Sequence, residues 1–331
     1  MTVADYLDAW AEVSLPVSGL RPATVAMYRS MIANPLRPSL GAVRLDAFTP
    51  AQAEAWLQRL AVTPVKVQSK ADRAAKLPPP AVSRATQRNA FICLTKALHT
   101  AVRDGLIESN PLTVVARPAA PKQDMPATPA GAVDDVLLPA VANLPIGPFV
   151  TFVALTGCRV GEAAGLRWSD VDLEAATATI RRSSPTADET KTGQVRTVPL
   201  LPDVVEALGV ARRRQLEDRL KMGPGWRNAE GLVFVTGSGA PLSMRNARRD
   251  LKRVLEREGL PTARPFHSLR HGLASRLLER DVPLAVVSAI LGHSSIRVTA
   301  DVYGHVTPVM HADKLAEAMG RGNSIIAIEK G

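Results

Sequence analysis

The chain has 331 residues, roughly twice the length of an average domain, so two domains of unequal size are expected. With 46% hydrophobic and 22% charged residues, the composition is that of a folded protein and excludes collagen-like, coiled-coil and largely disordered chains. Lys and Arg number 41 against 31 Asp and Glu, a net charge of +10, which puts polyanions, and nucleic acid first among them, at the head of the partner classes. A basic surface that serves only solubility would give the same sum, so motifs have to decide.

Aromatic residues make up only 4% while prolines number 26, which predicts a core of Ala, Leu and Val with rigid loop entries, not a sandwich rich in Trp and Tyr. Cys93 and Cys158 sit in apolar helical patterns without a CxxC spacing or a disulfide framework, as fits a reducing cytoplasm. The opening MTVADYLDAWAEV carries acids where a signal peptide needs basic residues, and no apolar run reaches the ~18 residues of a membrane span. A cytoplasmic, nucleoid-associated protein with no membrane contact is therefore expected.

In chain order, Tyr6, Leu7, Trp10 and Val13 form one helical stripe, and Thr24, Val25, Tyr28, Met31 and Ile32 form a second after the helix-starting RPAT. A third helix opens at Thr49 with Pro50 behind it, and a fourth runs from Ser83 through Phe91, Leu94, Leu98 and Val102 to Gly105. The basic, proline-punctuated loop between them, 65–84, has the composition to lie along a phosphate backbone, or simply to be a solvated surface loop. Beyond SNPL the chain loses its apolar period in VVARPAAPKQDMPATPAGA, a linker composition, which places a boundary near residue 120. The expected division is a helical domain over 1–118, a linker over 119–130, a second domain over 131–320 and a tail over 321–331.

The second domain starts with apolar helical segments. LRWSDVD then begins a strand, and ATATIRRSS and VRTVPLL form a predicted hairpin carrying Lys191 at its turn. DVVEALGVARRRQLEDRL reads as a helix, LVFV as a short strand, and MRNARRDLKRVLEREG and SLRHGLASRLLER as further helices. The fold class is mainly α with a small antiparallel sheet (α+β).

Four blocks carry the chemistry: TGCRVGEAAGLRWSDVD, TKTGQVRTVPL, HSLRHGLAS and LGHSSIRVTADVYGH. Arg159 and Glu162 stand at i, i+3, so the carboxylate can orient the guanidinium, although the same spacing describes an ordinary surface ion pair. His267 and Arg270 share a helical face and offer an imidazole beside a planar fork of donors, which suits a phosphate. His267 and His271 at i, i+4 have the spacing of two zinc ligands. Ser268 stands where a metalloprotease helix carries Glu, and Arg270 between the pair would repel a dication. His293 follows the helix-ending Leu291-Gly292, where the alternative role is capping. Tyr303 lies beside Gly304, where an ordinary half-buried aromatic is the plain alternative. Together these residues make a phosphate-binding set with one hydroxyl able to attack.

In this order the blocks, T-G-x-R-x-x-E with L-x-W-x-D, T-K-T-x-x-x-R-x-V-P-L, H-x-L-R-H, L-G-H and Y-G-H, resemble the tyrosine recombinase (phage integrase) family over most of the second half. The helices before residue 120, closing on G-L-I-x-x-N-P, resemble that family's core-binding (SAM-like) domain, which would make 131–320 the catalytic domain. The resemblance implies a site-specific recombinase, an integrase of a phage or other mobile element, in which Tyr303 attacks the scissile phosphate to give a 3'-phosphotyrosyl link and a free 5'-hydroxyl. Arg159, Arg270 and His293 would hold the phosphate, Lys191 would protonate the leaving oxygen and His267 would assist Tyr303. Glu162 would support the site, so that its loss hurts less than that of Arg159.

The implied partner is double-stranded DNA at attachment or core sites, with a homotetramer on that DNA and Ser324–Ile328 packing on a neighbouring protomer. A directionality factor or host DNA-bending protein is a candidate accessory. Neither cofactor nor metal is expected, since arginines supply the charge that a divalent ion supplies elsewhere. Ser268 replaces a frequent Asp, a change expected to touch helix capping more than chemistry. A family member that kept the fold and lost activity, acting as a DNA-binding regulator, and a type IB topoisomerase-like enzyme remain the alternatives, with a metal-dependent nuclease behind them.

Overall fold

The Thr2 hydroxyl accepts a hydrogen bond from the Asp5 amide and the Asp5 carboxylate accepts one from the Thr2 amide, a reciprocal cap that starts helix α1 (Val3–Ala9). The next turn, Trp10–Ser14, widens so that the Leu15 amide reaches back to the Trp10 carbonyl. The extra residue in that turn rotates the stripe. Val13, expected in the core, is 70% exposed, while Ala11 and Leu15 are buried in its place. Helix α2 (Pro22–Met31) buries Tyr28, and the chain then kinks at Asn34, whose backbone is extended, in a segment that buries Ile32 and Leu36.

Thr49 caps α3 (Pro50–Val62) with Gln52 in a second reciprocal box, and Ser83 caps α4 (Arg84–Arg103), both at the predicted residues. Helix α4 is the hub: Tyr6 donates to the Ala97 carbonyl at 2.6 Å and the Trp10 indole donates to Thr100 at 3.2 Å, tying α1 to it. Trp56 of α3 is fully buried and donates its indole N–H to Ser39 at 2.9 Å. Buried aromatics whose polar atoms are all bonded fix one packing of a small helical core.

This computed structural model describes residues 1–64, 81–120, 128–186, 195–292 and 295–303. The chain divides into two units, Met1–Gln123 and Asp124–Gly331. The basic loop, part of the linker and the tail Ser324–Ile328 lie outside the described residues.

In the second unit, α5 (Gly147–Thr156) is buried on every side, as a sequence apolar but for Thr151 and Thr156 dictates, and Thr156 donates to the Phe152 carbonyl. Phe149 meets Phe234 and Phe266 edge-on at 5.1 and 5.4 Å, so one ring joins three segments. Gly157 ends α5 with φ +64°, a left-handed turn that leads directly into α6 (Val160–Ala164). Strands β1 (Val171–Asp172), β2 (Thr177–Ile180) and β3 (Arg196–Pro199) form an antiparallel sheet, with Thr177 opposite Pro199 and Ile180 opposite Arg196. The register puts Ala178, Ile180 and Val198 into the core.

Asp170, buried before β1, accepts from Arg182 at 2.6 Å and pairs with Arg181 at 3.2 Å, which ties the start of β1 to the end of β2. The predicted strand LVFV is corrected: it forms only isolated bridges, Arg167 with Leu232 and Val235 with Pro241. Its apolar run is explained by burial of Leu232, Val233 and Phe234 in the core. Helices α7 (Pro202–Met222), α8 (Met244–Arg257), α9 (Pro265–Glu279), α10 (Leu284–Leu291) and α11 (Ile296–Tyr303) complete the unit. Among the described residues no helix is long and apolar enough to cross a membrane.

Candidate active site

Arg159 is the residue that caps α6, with an extended backbone just before the first turn. Its amide donates to Glu162 Oε2 at 3.0 Å and its Nη1 to Glu162 Oε1 at 2.9 Å. The surface-pair reading of this i, i+3 spacing is overturned, because the Glu162 side chain is 1% exposed. Glu162 also receives Arg196 Nη2 at 2.7 Å. Burial alone would raise its pKa, but the hydrogen bonds and charges of Arg196 and Arg159 outweigh burial and hold it below the usual carboxylate range. One buried anion thus orders two cations.

Those two guanidiniums reach further. Arg159 Nη1 donates to the Gly292 carbonyl at 3.1 Å and Arg196 Nε to the Ile290 carbonyl at 3.3 Å, satisfying carbonyls at the C-terminus of α10. Gly292 is left-handed at φ +65°, and a Cβ there would lie 2.6 to 2.8 Å from the Arg196 guanidinium. The turn that precedes His293 is therefore latched to β3 and to the start of α6 by arginines. Arg196 was visible in the sequence as the R of T-K-T-x-x-x-R but without a role. Its function as the second partner of Glu162 emerges only when β3 is placed beside α6.

Arg270 comes to the same place from α9. It is 5% exposed, donates Nη1 to the Gly157 carbonyl at 2.6 Å, and keeps Nη2 buried without a partner among the described residues. Burial, with the charge of Arg159 beside it, pulls its pKa down to about 10. A cation so enclosed has a strong demand for an anion at Nη2. His267, one turn earlier, lies on the same cavity of about 690 Å³, whose walls include Arg159, Arg248, Arg264 and Arg270.

The His267 ring stacks edge-on against His271, Nε2 to Nε2 at 3.1 Å, so one nitrogen donates and the other accepts. Partial burial and neighbouring cations keep both rings on the neutral side, that of His271 down to about 4. Among the described residues no third His, Cys, Asp or Glu joins the pair as a metal-binding group. Ser268 does not cap the helix: it is fully buried and donates to the Ala263 carbonyl at 2.6 Å.

Arg159, Glu162, His267 and Arg270 are thus brought together. Lys191 and His293 lie outside the described residues, and Tyr303 is described only as the last helical residue of α11.

A sequence profile described as the Phage integrase family matches residues 140–309, more than half of the chain. The chain belongs to this family. All seven residues singled out in the sequence, from Arg159 to Tyr303, fall within the span that matches the phage integrase family. A protein named tyrosine recombinase XerC-like from Caldanaerobacter subterraneus is 37% identical over 172 residues, which cover 46% of this chain and 44% of that protein. Tyrosine recombinase XerC of Rhodospirillum centenum is 30% identical over 318 residues, covering 89% of this chain and 81% of that one. The Tn1549 transposon integrase, solved in complex with a circular intermediate DNA, shares the fold with a TM-score of 0.71 at 19% identity, over 96% of this chain and 99% of that one.

Proposed function

We propose that this phage integrase family member is a site-specific DNA recombinase that cleaves and rejoins strands through Tyr303. The observation that carries the reading is the convergence of Arg159 and Arg270, with His267 beside them, on one cavity where Nη2 of buried Arg270 lacks a partner among the described residues. Two guanidiniums around a phosphodiester neutralise the charge that grows on its non-bridging oxygens as an oxygen nucleophile attacks.

In the proposed reaction the Tyr303 phenol loses its proton with the help of His267, and its oxygen forms a bond to phosphorus. The bond to the 5'-oxygen breaks, and that oxygen takes a proton from Lys191. Neutral His267 suits the role of proton acceptor. The phosphotyrosyl ester conserves the bond, and a 5'-hydroxyl from a partner duplex reverses the step. His293, the residue after Gly292 in the chain, would donate to the phosphate.

Exchange between two duplexes requires four cleaved strands, hence four protomers on DNA. Integration or excision of a phage or other mobile element is the biological role we favour. The homotetramer, the seat of Ser324–Ile328 on a neighbour, and the need for a directionality or bending factor belong to the same proposal.

The test is covalent trapping on a pool of nicked duplexes in EDTA, comparing wild type with Tyr303→Phe, sequencing the bound DNA and mapping the modified peptide. A Tyr303-linked 3'-phosphate is the expected result. DNA binding without an adduct would replace this reading with that of a regulator that lost activity, and resealing of the same strand without exchange would favour the topoisomerase-like alternative.

A further inference from the structure

The cavity that holds Arg159 and Arg270 has two more cations on its wall, Arg248 from α8 and Arg264 from the turn before α9. The sequence marked neither. Helix α8 carries many basic side chains, and the structure sorts them. Arg249 pairs with Asp250, Lys252 with Glu256, Arg253 with Asp250 and Arg257 with Glu258, at 2.7 to 3.7 Å. Arg245 and Arg248 have no carboxylate partner among the described residues, and of these two exposed side chains only Arg248 lines the cavity; Arg264, also exposed, has none either.

Arg264 also has an unusual backbone, φ +50° and ψ +59°, the left-handed region that a side chain enters at a cost of roughly 1 to 2 kcal/mol. Pro265 follows it and opens α9. A strained backbone at the rim of a cavity, bearing an unneutralised guanidinium, is the pattern expected where the side chain has a ligand to meet. Its charge reaches the site, since it contributes to holding His267 neutral.

Among the described residues no Asp or Glu lines this cavity. Glu162, the nearby carboxylate, is already shared between Arg159 and Arg196. The walls therefore present four guanidiniums to a volume of about 690 Å³, a size that takes a drug-sized molecule and exceeds one phosphodiester group.

We infer that Arg248 and Arg264 form a second phosphate subsite, which binds a phosphodiester adjoining the reacting one on the same DNA strand. The inference rests on the recombinase reading, in which Arg159 and Arg270 hold the reacting phosphate. Two adjacent phosphates held by two pairs of arginines fix the strand's direction as well as its position, because a single phosphate can rotate in its clamp and a dinucleotide cannot. Arg248 and Arg264 are positioning residues here, and they touch no reacting atom.

The experiment measures binding of the full chain to a labelled mixed-sequence duplex by fluorescence anisotropy across a salt series. Each lost phosphate contact lowers the slope of log affinity against log salt by about 0.9. Arg248→Ala and Arg264→Ala are each expected to lower it by about 0.9, the double variant by about twice that, and Arg264→Lys to restore it. Arg213→Ala, an exposed arginine of α7 outside the cavity, is expected to leave it unchanged. Unaltered melting temperatures would show that all these variants fold.

An unchanged slope in both cavity variants, or an equal loss in Arg213→Ala, overturns the subsite. Arg270→Gln separates the two layers of argument: if it lowers the slope while Arg248→Ala and Arg264→Ala do not, only the subsite falls. If wild type forms no Tyr303 adduct in the trapping assay, the recombinase reading falls instead.

Discussion

Replacing Glu162 by Gln removes one charge from a place where two cations depend on it. The carboxylate, 1% exposed, receives Arg196 at 2.7 Å and Arg159 at 2.9 Å. Removing one member of a buried ion pair costs about 3 to 5 kcal/mol, because the other charge is left without its partner. The two arginines do not suffer equally. Arg196 is 13% exposed and keeps only the Ile290 carbonyl and a long contact to Cys158, whereas Arg159 is 34% exposed and is partly solvated.

Discounting the Arg159 share, and allowing the Gln carbonyl one retained bond, leaves about 2 to 4 kcal/mol. Glu162→Asp, which keeps the charge but reaches one guanidinium less well, should lose about half of that. Glu162 has a lowered pKa, so its contribution is fully present above the unfolded value near 4.5 and disappears as pH falls through the lower, folded value. Urea denaturation of the full chain, followed by far-UV circular dichroism, should show the gap between wild type and Glu162→Gln at pH 7 and its narrowing below pH 4.5. A Glu162→Gln protein within ~0.5 kcal/mol of wild type at pH 7 would refute the shared-anion argument.

Other consequences follow from the same geometry. Gly292→Ala adds a Cβ within 2.8 Å of an Arg196 guanidinium held by three partners, on top of a left-handed backbone, and should cost about 2 to 3 kcal/mol. In an Arg196→Ala background the steric share disappears, so a double-mutant cycle on urea stability should give a coupling of about 1 kcal/mol or more, and simple additivity would contradict the latch. His271 faces His267 and Arg270 with a pKa of about 4. Its neutral form costs the fold nothing above pH 6.5, and below that the unfolded chain gains protons first, so stability should fall by roughly 2 kcal/mol toward pH 4, allowing for partial exposure. His271→Gln should flatten that slope in thermal melts read at pH 7 and pH 5. Adduct formation at Tyr303 should persist in EDTA, and loss of the adduct on chelation would point to metal-assisted chemistry.

Most of the helical elements, and their start residues in particular, were legible in the sequence. Thr49 before Pro50 and Ser83 before a 3.6-residue stripe are local signals, since a cap acts through its own first turn. The widened turn at Trp10–Ser14 was not legible, because one added residue leaves composition untouched while turning Val13 outward and Leu15 inward. LVFV misled for the opposite reason: a short apolar run signals burial, and burial here comes from Phe149 and Phe152 against Phe234, not from a sheet.

Within the site the same division holds. Arg159, Glu162, His267 and Arg270 could be read from spacing because each pair lies within one turn. Arg196 is 34 residues from Glu162 along the chain, and Arg248 looks like any other basic residue of α8 until the ion pairs of its neighbours are on the page. Charge in this molecule is informative by subtraction. Exposed arginines without a carboxylate partner also occur away from the cavity, Arg213 and Arg245 among them, so what sets this wall apart is that Arg248 and Arg264 share it with Arg159 and with Arg270, whose buried Nη2 lacks a partner among the described residues. Arg270, at 5% exposure, is the one of these that is buried, and a buried cation is costly without an anion. An enclosed Arg270 beside Arg159, which is itself ordered by the carboxylate it shares with Arg196, is what the proposed phosphodiester site requires and what a merely basic surface would not produce.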